Sequence, residues 1–185
     1  METKKVAVIG GGAAGFFAAI SVKENHPNHQ VILFEKTSKV LSKVKVSGGG
    51  RCNVTHNCTD ISNLCNAYPR GGKKLKSLFY QFSITDTIDW FETRGVPLKI
   101  EKDGRMFPVS NNSQSIIDCL IGEINRLKIA LELGKTIENI EQEKIGWKLK
   151  FKDQSNQQFD LIIIATGGSP KLKGCLLYTS DAADD

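Results

Sequence analysis

The stretch that most constrains this chain is VAVIGGGAAGFFAAI, residues 6–20. A short β-branched run, preceded by lysines and ending at glycine, reads as a strand buried in a parallel sheet. Small and apolar residues at helical spacing follow directly, up to the stop before Pro27. Gly10, Gly12 and Gly15 sit at the strand-to-helix turn in the order G-x-G-x-x-G. In that arrangement Gly10 permits the tight turn, Gly12 lets backbone approach a pyrophosphate, and Gly15 allows close helix–strand packing. Ala13 and Ala14 fall in the helix's first turn, where free N–H groups and the positive dipole end favour an anion. QVILFE reads as the next strand, which completes a βαβ unit and predicts an α/β, Rossmann-like fold. Glu35 ends that strand about 20 residues after the glycines, where a carboxylate can accept from ribose hydroxyls and would repel a 2′-phosphate. Lys36 is its neighbour. A glycine-rich turn without a ligand is the competing reading, and the strand, helix and carboxylate in sequence argue against it.

The fingerprint alone does not separate NAD from FAD. FDLIIIATGG, residues 159–168, reads as a nearly continuous buried strand ending in glycines. It resembles the second nucleotide-side motif of flavoproteins with two dinucleotide-binding domains. That resemblance implies FAD and adds Ala165, Thr166, Gly167 and Gly168 to the candidate cofactor residues. No second G-x-G-x-x-G exists in the sequence, so NAD(P)H is expected only as a transient electron donor.

A second glycine run stands in KVSGGGRCNVT. Glycine loses more backbone freedom on folding than any other residue, so a triplet with no helical pattern behind it calls for a reason. Glycines allow close backbone approach, and successive N–H groups can cradle an anion. Arg51 can pair with a phosphate or hold negative charge on a reduced flavin ring, and Asn53 offers both a donor and an acceptor.

This stretch, together with AYPRGGKKLKSLF, the segment from DTIDWF to DGRMFPVSNNSQSIIDCL, and IIIATGGSP, resembles the BaiN-like (YhiN-like) flavoprotein family. These proteins are also described as NAD(P)/FAD-dependent or aminoacetone-oxidase-family oxidoreductases. The resemblance runs from Val6 to Pro170 and implies that Ser47, Gly48, Gly49, Gly50, Arg51, Cys52 and Asn53 lie against the FAD. It implies reduction of activated double bonds or oxidation of small amines, on a small-molecule substrate, with no catalytic acid or base assigned. The family usually reads C-N-V-T-N where this chain has His56, which weakens any role at that position.

Between these motifs, KKLKSLFYQFSITDTIDWFETRG reads as two helices broken near Ser83, with Ser-x-x-Asp capping the second. Asp103-Gly104 marks a hairpin. SNNSQSIIDCLIGEINRL reads as a capped amphipathic helix, and IALELG, KTIENIEQE and GWKLKFKD as three short strands that include a meander.

Five cysteines without a C-x-x-C, and no secretory signal, point to the cytoplasm, and no apolar run reaches membrane-spanning length. Cys52 and Cys58 have five residues between them in CNVTHNC, and two thiols rather than a redox disulfide are expected. The net charge of +5 includes a loose cluster at Lys36, Lys39, Lys43 and Lys45, read as a solvated loop. A basic face there would favour the alternative of a flavin-dependent RNA uridine reductase. A non-catalytic dinucleotide-binding module is a further alternative. The tail CLLYTSDAADD lacks periodicity and resembles a translated sequencing adapter. Residues 1–174 are therefore expected to form a partial FAD-binding domain, cut before the inserted substrate domain that the resemblance implies, with 175–185 non-native. The outer edge of a sheet so cut would be apolar and poorly soluble.

Overall fold

A computed structural model of the protein describes residues 2–68 and 71–168. The readings on Ser169, Pro170 and the tail 175–185 lie outside the described residues.

The chain opens with β1 (Lys5–Ile9), α1 (Ala13–Asn25) and β2 (Gln30–Phe34). Then come α2 (Ser42–Gly50), β3 (Thr55–His56), α3 (Ile61–Asn66), α4 (Gly72–Phe79) and α5 (Ile84–Glu92). A hairpin of β4 (Leu98–Ile100) and β5 (Arg105–Pro108) precedes α6 (Gln114–Arg126). The remainder is β6 (Ala130–Glu132), β7 (Ile137–Gln142), β8 (Trp147–Phe151), β9 (Asn156–Phe159) and β10 (Leu161–Ile164). Two compact units result, one from the chain up to Ser42 and from Leu120 onward, the other from Lys43 to Cys119.

The first unit is built on a parallel sheet of order β10-β1-β2-β6. Strand residues alternate between its faces. Ala7, Ile9, Ile32 and Phe34 form one face and join Leu149, Phe151 and Phe159 of the antiparallel β7-β8-β9 meander in a single buried cluster. Phe34 meets Phe151 and Phe159 with ring centroids 5.2 and 5.7 Å apart. Val6, Val8, Val31 and Leu33 form the other face and are likewise buried, as are Phe16, Ala19 and Ile20 of α1. A parallel sheet covered on both faces explains why β1 and β2 read as unbroken apolar runs.

The sequence reading is corrected in three places here. FDLIIIATGG is two strands, because the chain changes sheets at Asp160. The Asp160 carboxylate accepts from the Lys5 N–H at 2.6 Å, and its own N–H donates to the Lys5 carbonyl at 2.9 Å. Phe159 thus ends the meander, while Leu161 begins β10 opposite Val6. Among the described residues β10 is an edge strand, with Leu161 44% and Ile164 46% exposed, where the all-apolar run predicted burial. Third, IALELG does not belong to the meander. Its β6 joins the parallel sheet beside β2, and β9 takes its place as the meander's third strand.

In the second unit the Ser83 break holds. Ser83 and Asp86 form a reciprocal capping box at the start of α5. The Asp103-Gly104 turn joins β4 and β5 as read, and β3 extends that pair to three strands. Three short elements, α2, β3 and α3, carry no pattern that the sequence reading detected. β3 and α3 are too short for a period to show, and α2 runs into the glycine triplet.

Candidate functional site

The carboxyl ends of β1, β2 and β10 are level, since Ile9 is in register with Phe34 on one side and Ile164 on the other. Gly10, Glu35 and Ala165 therefore leave the sheet side by side, at the edge where open α/β sheets bind ligands. Gly10 has φ of +116°, and its N–H donates to the Phe34 carbonyl at 2.8 Å. A Cβ at Gly10 would collide with the Ala165 carbonyl, and one at Gly15 with the Gly10 carbonyl. Both glycines are thus demanded by the protein itself.

Gly11, an unassigned position in the fingerprint, is also constrained, by side chains rather than by backbone. A Cβ there would stand 2.9 Å from both the Glu35 Cβ and Val40 Cγ1. Gly12 differs from all three: a Cβ there meets no atom within 4 Å. Its φ of −90° and ψ of −177° are open to any residue. Gly12, Ala13 and Ala14 are exposed, and the α1 N-terminus has neither a side-chain cap nor an acidic residue in its first turn. An uncapped helix end of this kind is a ready anion site.

Glu35 Oε2 accepts from the Gly11 N–H at 2.8 Å, and Oε1 accepts from the Thr37 N–H at 2.9 Å and Oγ1 at 3.0 Å. Oε2 retains a further lone pair for a ligand. Lys36 is exposed, as are Thr166, Gly167 and Gly168 beyond β10. Gly167 has φ of +66°, with no atom within 4 Å of a built Cβ. The structure brings these residues together as the sequence reading grouped them.

The second glycine run is organised within the other unit. A short helical segment precedes it, and none follows directly. α2 leaves helical geometry at Ser47, where ψ is 149°, and Gly48, Gly49 and Gly50 follow with φ of 55°, 68° and 84°. Three successive left-handed residues need glycine. Gly48 is also hemmed in, since a Cβ would lie 2.8 Å from the Asn53 nitrogen and 2.9 Å from the Phe107 ring. Cys52 holds a left-handed φ of 63°, and its N–H donates to the Ser47 carbonyl at 3.0 Å. Burial pushes its thiol pKa up, against a lowering hydrogen bond with Ser47. Cys52 and Cys58 are both free thiols.

Arg51 forms an ion pair with Glu101, and its guanidinium lies 4.0 Å from the Phe107 ring centroid. Asn53, with its amide nitrogen toward β5, donates to the carbonyls of Thr55 at 2.9 Å and Met106 at 3.1 Å. Ser113 completes the loop: its N–H donates to the Gly50 carbonyl and its Oγ to the Lys45 carbonyl, both at 2.9 Å. Glu101, Phe107 and Ser113 escaped the sequence reading. The available signal was the Asp103-Gly104 hairpin, which brings DGRMFP alongside the glycine loop. His56 is structural, with Nε2 3.0 Å from the Asp103 carbonyl and its ring seated over Gly104. Among the described residues no group of three or more His, Cys, Asp or Glu side chains could hold a metal ion. No helix there is long and apolar enough to cross a membrane.

A parallel sheet with a glycine-lined, uncapped helix N-terminus at its carboxyl edge defines a Rossmann-type dinucleotide-binding protein. The family model described as the HI0933-like protein Rossmann domain matches residues 4–173, and the chain belongs to that flavoprotein family. It is 27% identical over 164 residues to the 3-dehydro-bile acid delta(4,6)-reductase of Clostridium scindens, covering 89% of this chain and 39% of that protein. It is 27% identical over 168 residues to the ribosomal RNA dihydrouridine synthase of Escherichia coli, covering 91% and 40%. The chain thus spans about two fifths of the length of these curated relatives. Among solved structures, the open conformation of a flavocytochrome c3 fumarate reductase shares the fold. Its TM-score is 0.65 at 22% identity, over 90% of this chain and 34% of that one.

Proposed function

We propose that the chain is the FAD-binding part of an oxidoreductase that delivers hydride to a carbon–carbon double bond conjugated to a carbonyl. Two relatives support the choice of reaction. A delta(4,6)-reductase of a 3-oxo steroid and a dihydrouridine synthase share one chemical task, saturation of an alkene polarised by a carbonyl. Bound flavin would supply the hydride, and the protein's part is binding, orientation and electrostatics.

The observation that carries the reading is Gly12. It is the fingerprint glycine that its own chain leaves open, at an uncapped helix end. Ala13 and Ala14 would offer N–H groups to the pyrophosphate, and Glu35 Oε2 its remaining lone pair to a ribose hydroxyl. Gly49 and Gly167, each open to solvent, fit the same role of admitting a ligand close to backbone. Arg51, fixed by Glu101 and Phe107, would supply a positioned positive charge. NAD(P)H is the proposed electron donor, and the cytoplasm the proposed location.

The test is to purify the chain, reconstitute it with FAD, remove free flavin and record the visible spectrum. A retained flavin spectrum is expected. A folded protein that stays colourless after reconstitution overturns the reading for this chain.

An RNA uridine reductase is the second reading. The Escherichia coli relative's name favours it, and so does the basic, acid-free segment from Ile61 to Thr85.

A further inference from the structure

Exposed lysines are not confined to the Lys36–Lys45 loop. From Ile61 to Thr85 the sequence carries Arg70, Lys73, Lys74 and Lys76 with no aspartate or glutamate, as the stretch 36–59 carries Lys36, Lys39, Lys43, Lys45 and Arg51 with none. Within it lie α3 and α4. Gly72 is buried, and a Cβ there would collide with the Cys65 carbonyl, so the two helices meet backbone to backbone. Between them runs a groove of about 660 Å³, lined by Ser62, Cys65, Tyr68, Lys73, Lys74 and Lys76.

Three features of this groove suit a polyanion. Lys73, Lys74 and Lys76 are all exposed, and Lys76 Nζ reaches the Ser62 Oγ at 3.5 Å along the wall. α4 opens at Gly71, whose φ is +80°, with no side-chain cap and no acidic residue in its first turn. Large apolar and aromatic side chains flank the charges in the open: Tyr68 is 44%, Leu78 55% and Tyr80 69% exposed. Lys73, Lys76 and Tyr80 recur at i, i+3 and i+7, which places them on one side of the helix. Cations tracking a backbone, interleaved with exposed aromatic rings, are the features by which proteins hold single-stranded nucleic acid.

We propose that the α3–α4 pair is a docking surface for single-stranded RNA. Phosphates lie along Lys73, Lys74 and Lys76 and at the α4 N-terminus, and bases stack on Tyr68 and Tyr80. This rests on the RNA reading above for its choice of partner, and it locates that partner on residues outside the candidate flavin site. The exposed apolar side chains alone would also suit an anionic membrane. The groove, rather than a flat apolar face, and the relative's ribosomal substrate favour RNA.

The test uses the full 185-residue chain and fluorescence anisotropy with a labelled single-stranded RNA of mixed sequence. Lys73→Glu/Lys74→Glu/Lys76→Glu is compared with Lys128→Glu/Lys144→Glu/Lys152→Glu, which changes net charge equally. Circular dichroism checks that both variants fold. The α4 variant is expected to bind at least roughly tenfold more weakly and to lower the salt slope by about 2. Tyr80→Ala, which keeps every charge, is expected to weaken binding by roughly fivefold or more through lost stacking. Equal weakening by the two triple variants would overturn the proposal. So would no RNA binding by the parent chain, or stronger binding to phosphatidylserine vesicles than to RNA. Flavin retention is read separately on the same samples. A chain that holds flavin but not RNA sinks this surface alone, and one that holds RNA but not flavin sinks the FAD reading alone.

Discussion

The backbone N–H of Gly11 donates to the Glu35 carboxylate at 2.8 Å, and the two residues stand so close that Gly11 has no room for a side chain. The contact ties the turn after β1 to the end of β2, with Leu41 adding a bond from its N–H to the Gly11 carbonyl at 2.8 Å. Glu35 therefore has a structural task whether or not a ligand is present. The four glycines of the turn divide accordingly: Gly10, Gly11 and Gly15 serve the fold, and Gly12 faces open space.

That division predicts opposite results for two alanine substitutions. Gly11→Ala forces Glu35 or Val40 to move and is expected to destabilise the chain by about 1–3 kcal/mol. Gly12→Ala meets no atom and should cost less than about 1 kcal/mol, the loss expected at a helix N-cap. Its damage should fall on flavin binding instead, since a methyl group would stand where the pyrophosphate approaches. Thermal denaturation and FAD titration of both variants separate the two effects. Equal flavin affinity in Gly12→Ala and the parent would remove Gly12 from the site.

The parts of this fold that were legible in the sequence are those in which one local demand dominates. The fingerprint turn is dictated by sterics between Gly10, Gly15 and neighbouring carbonyls, so three glycine positions suffice to announce it. The Ser83–Asp86 capping box and the Asp103-Gly104 hairpin are likewise local. What escaped depends on distant partners. Nothing near Asp160 signals that its carboxylate will meet Lys5, so the strand change there was invisible. Arg51 was read as a free cation because Glu101 lies 50 positions away and meets it only through the β4–β5 hairpin. Apolar character told that β10 is a strand but not that it lies at the sheet's edge.

The Arg51–Glu101 pair is part-exposed, with side chains 33% and 28% accessible, so its contribution to stability should be small. A double-mutant cycle on Arg51→Ala and Glu101→Gln is expected to give a coupling of about 0.5–1 kcal/mol. The flavin consequences should differ in sign. Arg51→Ala removes the charge and is expected to lower FAD retention, whereas Glu101→Gln leaves that charge uncompensated and should maintain or raise it. Parallel losses in both variants would assign the pair to loop structure alone.

Cys52 and Cys58 should behave as different thiols. Burial raises the Cys52 pKa, so less of it is thiolate at any pH, and it is 7% exposed. Alkylation by iodoacetamide, followed by mass spectrometry of the folded protein, should modify Cys52 at least roughly tenfold more slowly than Cys58. The same shift has a linkage consequence. Its folded pKa exceeds its unfolded value of about 8.5, so its contribution to stability is complete below that value and is lost as pH rises through the folded pKa. Urea denaturation at about pH 7.5 and about pH 9.5 should show an alkaline loss that Cys52→Ala reduces. An unchanged slope in the variant would place the alkaline titration elsewhere.

The edge of β10 sets the behaviour of the chain in solution. Leu161 and Ile164 are nearly half exposed on a strand of four apolar residues, and among the described residues no strand pairs with its outer side. A bare apolar edge templates pairing between molecules, and a lysine on it is a common defence. Leu161→Lys should therefore reduce concentration-dependent light scattering. It should change thermal stability by less than about 1 kcal/mol, because much of the Leu161 side chain already faces water. Leu161 lies at the amino end of β10, away from Ala165, so flavin retention should be untouched. Scattering that persists in Leu161→Lys but falls in Leu78→Lys would transfer the association surface to α4, the helix assigned here to RNA.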